Sequence, residues 1–267
     1  LQPLASVGEF LLGSHYTSVY GGTSLGQMPA SLCQNATFAA VRVIDQDVAA
    51  FESTLDTTAN EQQVDREWVA AKMMGRWRDG RPLLPPPDKV SGNNAFDYAP
   101  SMAHPDLPND HAGMGCPVGS HIRRMNPRSS LVAGQPYSRR LIRRGMPYGP
   151  VWNKNNPSAR RGLFGIFICG DLERQFEFLI QQWANSDCSA SGIRGTQDPI
   201  IGVQNLSGKF SIPMPAGQAA IGVDTPRWTT TRGSVYLLMP GLNGLRWLAK
   251  GEGFDDTAAT KIGPAQW

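Results

Sequence analysis

The chain has 267 residues, enough for one or two domains and for a core that needs neither metal nor disulfide staples. Glycine (29) and proline (21) exceed average usage and charged residues are only 18 %, so the chain is rich in turns, yet 40 % hydrophobic content excludes a disordered polymer. A net charge of +3 is too small to argue for nucleic acid, and no apolar run approaches the roughly 18 residues of a membrane span.

Leu1 stands where methionine is expected, so the chain reads as one whose start is missing or was cut; no charged segment followed by an apolar stretch marks a signal peptide. Residues 1–34 show no sustained period. A strand is predicted over residues 37–43, followed by a helix capped by Asp47 that buries Val48, Phe51 and Leu55. A second helix follows Asp65, burying Trp68, Val69 and Met73, and stops near Gly75. Residues 80–120 are full of Pro, Gly, Asn and Asp; so long a run without periodicity implies a function. Strand signal returns over 140–143 and 163–168, and Asp171 caps a helix with Leu172, Phe176, Leu179, Ile180 and Trp183 on its apolar stripe at a 3.6-residue period. A hairpin is expected within 203–212, a strand over 234–239, and a short helix through Leu245 and Leu248. This order of strands and helices predicts an α+β class: a ferredoxin-like antiparallel sheet with helices on one face and long loop insertions.

Cys33, Cys116, Cys169 and Cys188 lack the spacing of zinc or redox motifs, and Cys169 reads as a small buried hydrophobe. The tryptophans read as core or cleft packing. His104 and His111, with Asp106 and Asp110, form either a divalent-ion site or a solvated loop. Seven arginines and no acid lie in two runs, Arg123, Arg124 and Arg128, then Arg139, Arg140, Arg143 and Arg144. They read as a solvated basic face or phosphate patch, or, since none is lysine, as planar carboxylate recognition or fixed buried charge. His121 sits beside the first run, where neighbouring cations favour a neutral, ligating imidazole; a purely structural histidine is the alternative.

The run Gly115-Cys-Pro-Val-Gly-Ser-His121-Ile-Arg-Arg-Met-Asn-Pro-Arg128 closely resembles the haem-ligand motif of dye-decolorizing (DyP-type) peroxidases. Arg143-Arg-Gly-Met-Pro-Tyr-Gly149 is similar to that family's distal-arginine motif. Gly8-Glu-Phe-Leu-Leu-Gly13, Gln46-Asp-Val-Ala-Ala-Phe51, Asp171-Leu-Glu-Arg-Gln-Phe-Glu-Phe178 and Arg232-Gly-Ser-Val-Tyr-Leu-Leu-Met-Pro240 resemble further landmarks in the family's order. The resemblance implies haem b as cofactor, with His121 the proximal iron ligand, Arg143 on the distal side where hydrogen peroxide binds, and Asn126 and Arg128 near the propionates. It also implies half of a two-domain dimeric α+β barrel: residues 1–34 the tail of a preceding domain, residues 35–267 the C-terminal ferredoxin-like haem-binding domain.

Two departures qualify it. The family's Gly-x-x-Asp-Gly acid belongs upstream of these landmarks, whereas the Asp-Gly pair of this chain, Asp79-Gly80, falls after Gly8–Gly13 in a motif one residue too long; Asp79 is not taken as the distal acid. In the strand after Arg161-Gly162, Gly165 stands where bulky apolar residues are usual, which predicts a wider distal pocket. The expected function is therefore a haem peroxidase that uses hydrogen peroxide to oxidise phenolic, dye-like or other small organic reductants. Its distal Asp would come from an N-terminal half or second subunit carrying that motif. The alternative is a non-enzymatic haem-binding or scaffold subunit of the same fold. A nucleic-acid-binding module is set aside, because the haem motifs account for the arginine runs.

Overall fold

β1 (Thr37–Gln46), rich in β-branched and aromatic side chains, occupies the middle of a four-stranded antiparallel sheet in the computed structural model. The structure describes residues 3–20, 28–84, 94, 96–100, 105–107, 109–130, 137–187, 190 and 192–251. With β2 (Ile142–Tyr148), β3 (Gly162–Cys169) and β6 (Thr229–Met239), the strand order is β2-β3-β1-β6, the split βαβ arrangement expected from the element order. The fold is α+β and ferredoxin-like.

The predicted helix starts hold at the level of atoms. After the one-turn helix α1 (Ala30–Cys33), Asp47 accepts a hydrogen bond from Ala50 N at 2.9 Å at the start of α2 (Val48–Gln62), and Asp65 accepts one from Trp68 N at 2.7 Å at the start of α3 (Arg66–Met74). α3 ends at Gly75, whose φ of 94° is left-handed and whose missing side chain lets Ser120 and Ile122 approach. These two helices pack on a second, two-stranded sheet, β4 (Lys209–Ile212) with β5 (Ile221–Asp224), around Leu55, Val69, Met73, Phe210, Ile212 and Val223. The hairpin predicted within 203–212 is therefore made with a strand that comes later, because the turn at 213–220 is too long to read locally.

Residues capped by Asp171 differ from the ordinary α-helix predicted. They form two π-helical segments, Leu172–Glu177 and Leu179–Ala184. The spacing of four between Leu172, Phe176 and Ile180 suits either winding, so periodicity alone could not separate them. Phe176 covers one face of the main sheet, 5.2 Å from Phe167 and 6.0 Å from Tyr236 between ring centroids, with Ala40 and Cys169 fully buried beneath. The strand predicted over 140–143 lies instead at Ile142–Tyr148, and the one predicted over 234–239 begins at Thr229.

The sheet's other face is open and, apart from the exposed Arg144 opposite Ile166, largely apolar. Its register brings Ile142 and Met146 of β2, Phe164, Ile166 and Ile168 of β3, Val41 of β1 and Val235, Leu237 and Met239 of β6 to one side. Five of them, Ile142, Met146, Val235, Leu237 and Met239, are 42–50 % exposed, far more apolar surface than a sheet presents to water when it is complete.

The proline-rich run has its own core of Leu84, Phe96, Tyr98 and Cys116. Arg123, 1 % exposed, locks this region: it stacks 4.2 Å over Tyr98 and donates to Asp110, to the carbonyls of Cys116 and Asp110, and to Ser130 Oγ. Asp110 in turn accepts from the backbone N–H groups of Gly115 and Cys116, so it is neither a solvated loop residue nor free for a metal. His104, its proposed companion, lies outside the described residues. Asp110→Ala leaves a buried guanidinium uncompensated and is expected to cost about 3–5 kcal/mol. Urea denaturation with an unchanged m-value checks this; an unchanged midpoint contradicts it.

Candidate haem site

His121 opens the short helix α4 (His121–Met125), a segment with no helical period in the sequence. Lys72 fixes the approach to it, donating from α3 to the carbonyls of Met114 and Gly115 at 2.7 and 2.6 Å. The imidazole Nδ1 lies 2.9 Å from Oδ2 of Asp198, a carboxylate with no exposure, while Nε2 makes no hydrogen bond among the described residues. Asp198 Oδ1 also accepts from Ile200 N at 2.8 Å and Ile201 N at 2.9 Å. Burial works to raise this carboxyl, but the charge and hydrogen bond of His121 and those two N–H groups hold it below the usual carboxylate range. The charged group facing the imidazole is thus an anion, not the arginines beside it in sequence.

Those arginines have other partners. Arg124, 3 % exposed, donates to the carbonyls of Gly119, Trp183, Ser186 and Thr196. Arg128, also buried, has a left-handed φ of 51°, stacks 3.7 Å over Phe96 and donates to the carbonyls of Asn94 and Phe96. Arg139 stacks between Tyr20 and Phe178, and Arg140 donates to the carbonyls of Tyr137 and Pro3. Of the two readings of the arginine runs, fixed and mostly buried charge describes these five. Arg143 and Arg144 are different: they leave β2 on opposite faces, exposed, with no hydrogen bond or ion pair among the described residues. Arg143 shares its face with Phe167 and lies within electrostatic range of Arg76.

Arg76 went unnoticed in the sequence. It follows α3, donates to Gly80 O and to Asn94 Oδ1, and lies 5.3 Å over Phe96, the ring on which Arg128 also stacks. Burial depresses both guanidiniums, and repulsion adds to it, from Arg143 at Arg76 and from Arg76 at Arg128. Asn126 terminates α4, its N–H bonded to Ile122 O at 2.9 Å. Asp79 is exposed and held by Arg81 at 2.6 Å. Gly165 does lie on the Arg143 face, but the space is not open: a Cβ there would come within 2.8 Å of the Phe167 ring, which fills it.

No family model matches the chain. It is 28 % identical over 278 residues to Peroxidase 2 of Mycetinis scorodonius, covering 92 % of this chain and 51 % of that protein. It is 30 % identical over 229 residues to the multifunctional dye peroxidase DyP2 of Amycolatopsis sp., covering 77 % of this chain and 47 % of that protein. The solved structure of DyP2 from Amycolatopsis sp. matches with a TM-score of 0.65 at 26 % identity, over 90 % of this chain and 52 % of that one. The chain belongs to the dye-decolorizing peroxidase family. This DyP-type chain spans about half the length of the curated relatives it matches.

Haem b is the cofactor of DyP-type peroxidases, and the donor set fits it. Among the described residues no three His, Cys, Asp or Glu side chains gather to hold a bare metal ion. One imidazole, oriented by a buried carboxylate and with Nε2 uncommitted, suits an iron already held by four macrocycle nitrogens. Asp198→Asn is expected to weaken haem affinity about 10- to 100-fold, read by absorbance titration. Because the Asp198 carboxyl is depressed by folding, it contributes fold stability that is complete above the ordinary value of about 3.9 and is lost as pH falls through the lower, folded value. An Asp198→Asn protein that binds haem as tightly contradicts the role.

Proposed function

We propose that this chain is the C-terminal, haem-bearing half of a DyP-type peroxidase that uses hydrogen peroxide to oxidise phenolic, dye-like or other organic reductants. The observation that carries the reading is the His121–Asp198 pair with Nε2 uncommitted. In this reading residues 1–34 are the tail of the preceding domain, although described parts of them bond to the haem-binding domain: Leu12 N donates to Ala36 O, and Gly170 N to Glu9 O.

His121 would hold the iron through Nε2, while Asp198 keeps the proton on Nδ1 and makes the imidazole a stronger donor. Haem bound there would supply the two-electron reduction of peroxide to water and take those electrons back, one at a time, from the reductant. Arg143 would hold a positive charge where negative charge develops on the departing oxygen; its freedom from internal partners supports that assignment. Arg128 and Asn126 would lie by the propionates, with the cation Arg76 beside them. Arg128→Ala is expected to speed haem loss to apomyoglobin; an unchanged rate removes it from the site.

No distal acid is assigned to this chain. It would come from an N-terminal half that carries Gly-x-x-Asp-Gly. The open apolar face of the sheet supports a missing half, since it is the surface such a domain would cover. The test mixes the purified chain, loaded with haem, with the separately produced N-terminal half and follows peroxide-dependent oxidation of a phenol. Turnover only in the mixture is expected. Full turnover by the chain alone sinks the shared site, and haem binding without turnover in either case favours a haem-carrier or scaffold role.

A further inference from the structure

At one end of the main sheet, where β1 finishes and β3 and β6 begin, lies a cleft of about 740 Å³ that the haem site does not use. Its size is that of a small-molecule pocket. Four arginines, Arg160, Arg161, Arg227 and Arg232, and two aspartates, Asp45 and Asp47, line it, leaving two positive charges in surplus.

The arrangement is held rather than loose. Arg161 is buried and spends its guanidinium on the carbonyls of Pro150, Asn156, Pro157 and Ala159, so it shapes the wall. Asp45 accepts from Arg232 Nε at 2.6 Å, from Arg160 Nε at 3.0 Å and from the Tyr148 hydroxyl. The Tyr148 hydrogen bond first, then that of Arg232, pulls its carboxyl down to about 2, so the tether persists at any ordinary pH. Arg227 is tethered in the same manner, Nε to Thr229 O at 3.1 Å. Each of these three guanidiniums is therefore anchored by its Nε. The terminal nitrogens of Arg227 and Arg232 have no acceptor among the described residues, which leaves uncommitted the end of the guanidinium fork that pairs with planar oxyanions.

One further donor lies at the same place. The N-terminus of the 15-residue helix α2 opens on the cleft at Asp47, with no acidic residue in its first turn beyond that cap. Trp228, 5 % exposed and packed edge-on against Phe51, closes the floor of the cleft.

We propose that this cleft binds a small molecule through a carboxylate or phosphate group gripped by Arg227 and Arg232. The site is separate from the haem pocket, and its test needs neither haem nor peroxide, so it can fail while the peroxidase reading stands. Isothermal titration of the full chain with pyrophosphate and with citrate is expected to show saturable binding of at least one, weaker at high salt, with neutral glycerol inert. The preferred anion assigns phosphate or carboxylate. Arg227→Gln is expected to weaken binding about tenfold, as loss of one charge-assisted pair requires, whereas Arg246→Gln on the distant helix α5 (Leu242–Lys250) leaves it unchanged. Should Arg232→Gln disturb Asp45 and the fold, Arg227→Gln still decides, because its tether reaches only a backbone carbonyl. No saturable binding of either anion, or equal affinity in the Arg227 and Arg246 variants, overturns the proposal.

Discussion

His121→Ala is expected to abolish the Soret band of the haem-loaded chain, or leave haem so loosely held that apomyoglobin strips it at once. The geometry gives the reason. His121 is the one described side chain with an imidazole nitrogen oriented by a fully buried anion and left with nothing else to bind. Alanine removes the ligand and also costs Asp198, a buried carboxylate, one of its three close hydrogen-bond partners, leaving the N–H groups of Ile200 and Ile201 and the charge of Arg124 to hold it. The variant should therefore also unfold at lower denaturant. The double variant His121→Ala, Asp198→Ala separates the two effects: stability returns in part, and haem binding does not. Retention of a normal Soret band in His121→Ala removes the residue from the iron.

The second large effect is at Arg143. Arg143→Leu in the reconstituted two-part protein is expected to keep haem yet slow the step with peroxide by on the order of 10²–10³, the loss typical of one donor aimed at developing charge. The arginine suits that role because β2 places it and nothing in the chain neutralises it, unlike its five buried or stacked neighbours. Its neighbour Arg144 leaves the opposite face and is the internal control. Because Arg144 stands on the face the N-terminal half would cover, association of the two halves is verified first. Arg144→Leu should then leave the peroxide step unchanged, and equal slowing by both variants would point to net charge rather than position.

Local chemistry was the legible part of this fold. Asp47, Asp65 and Asp171 act within three residues of themselves, so their caps could be read directly, and strand order followed from element order. The haem motif placed His121 and Arg143 on the short list because both lie in recognisable runs. What stayed hidden depends on distance in the chain. Asp198 meets His121 across 77 residues, through loops with no period, and no residue near either one announces the pair. Arg76 reaches Arg143 and Arg128 only once α3 is folded back on the proline-rich run. Seven arginines that look alike in sequence divide by where carbonyls fall around them, which only the fold decides. Gly165 shows the same limit: its missing side chain predicted open space, and the ring two residues on, Phe167, occupies it.

The most direct test is the iron–imidazole stretching band in the resonance Raman spectrum of the reduced, haem-loaded chain. The band is expected in the wild type, at lower frequency in Asp198→Asn, where Nδ1–H loses its anionic acceptor and Nε2 becomes a weaker donor, and absent in His121→Ala. A band that persists in His121→Ala, or that does not move in Asp198→Asn, would contradict the assignment of this pair to the haem iron.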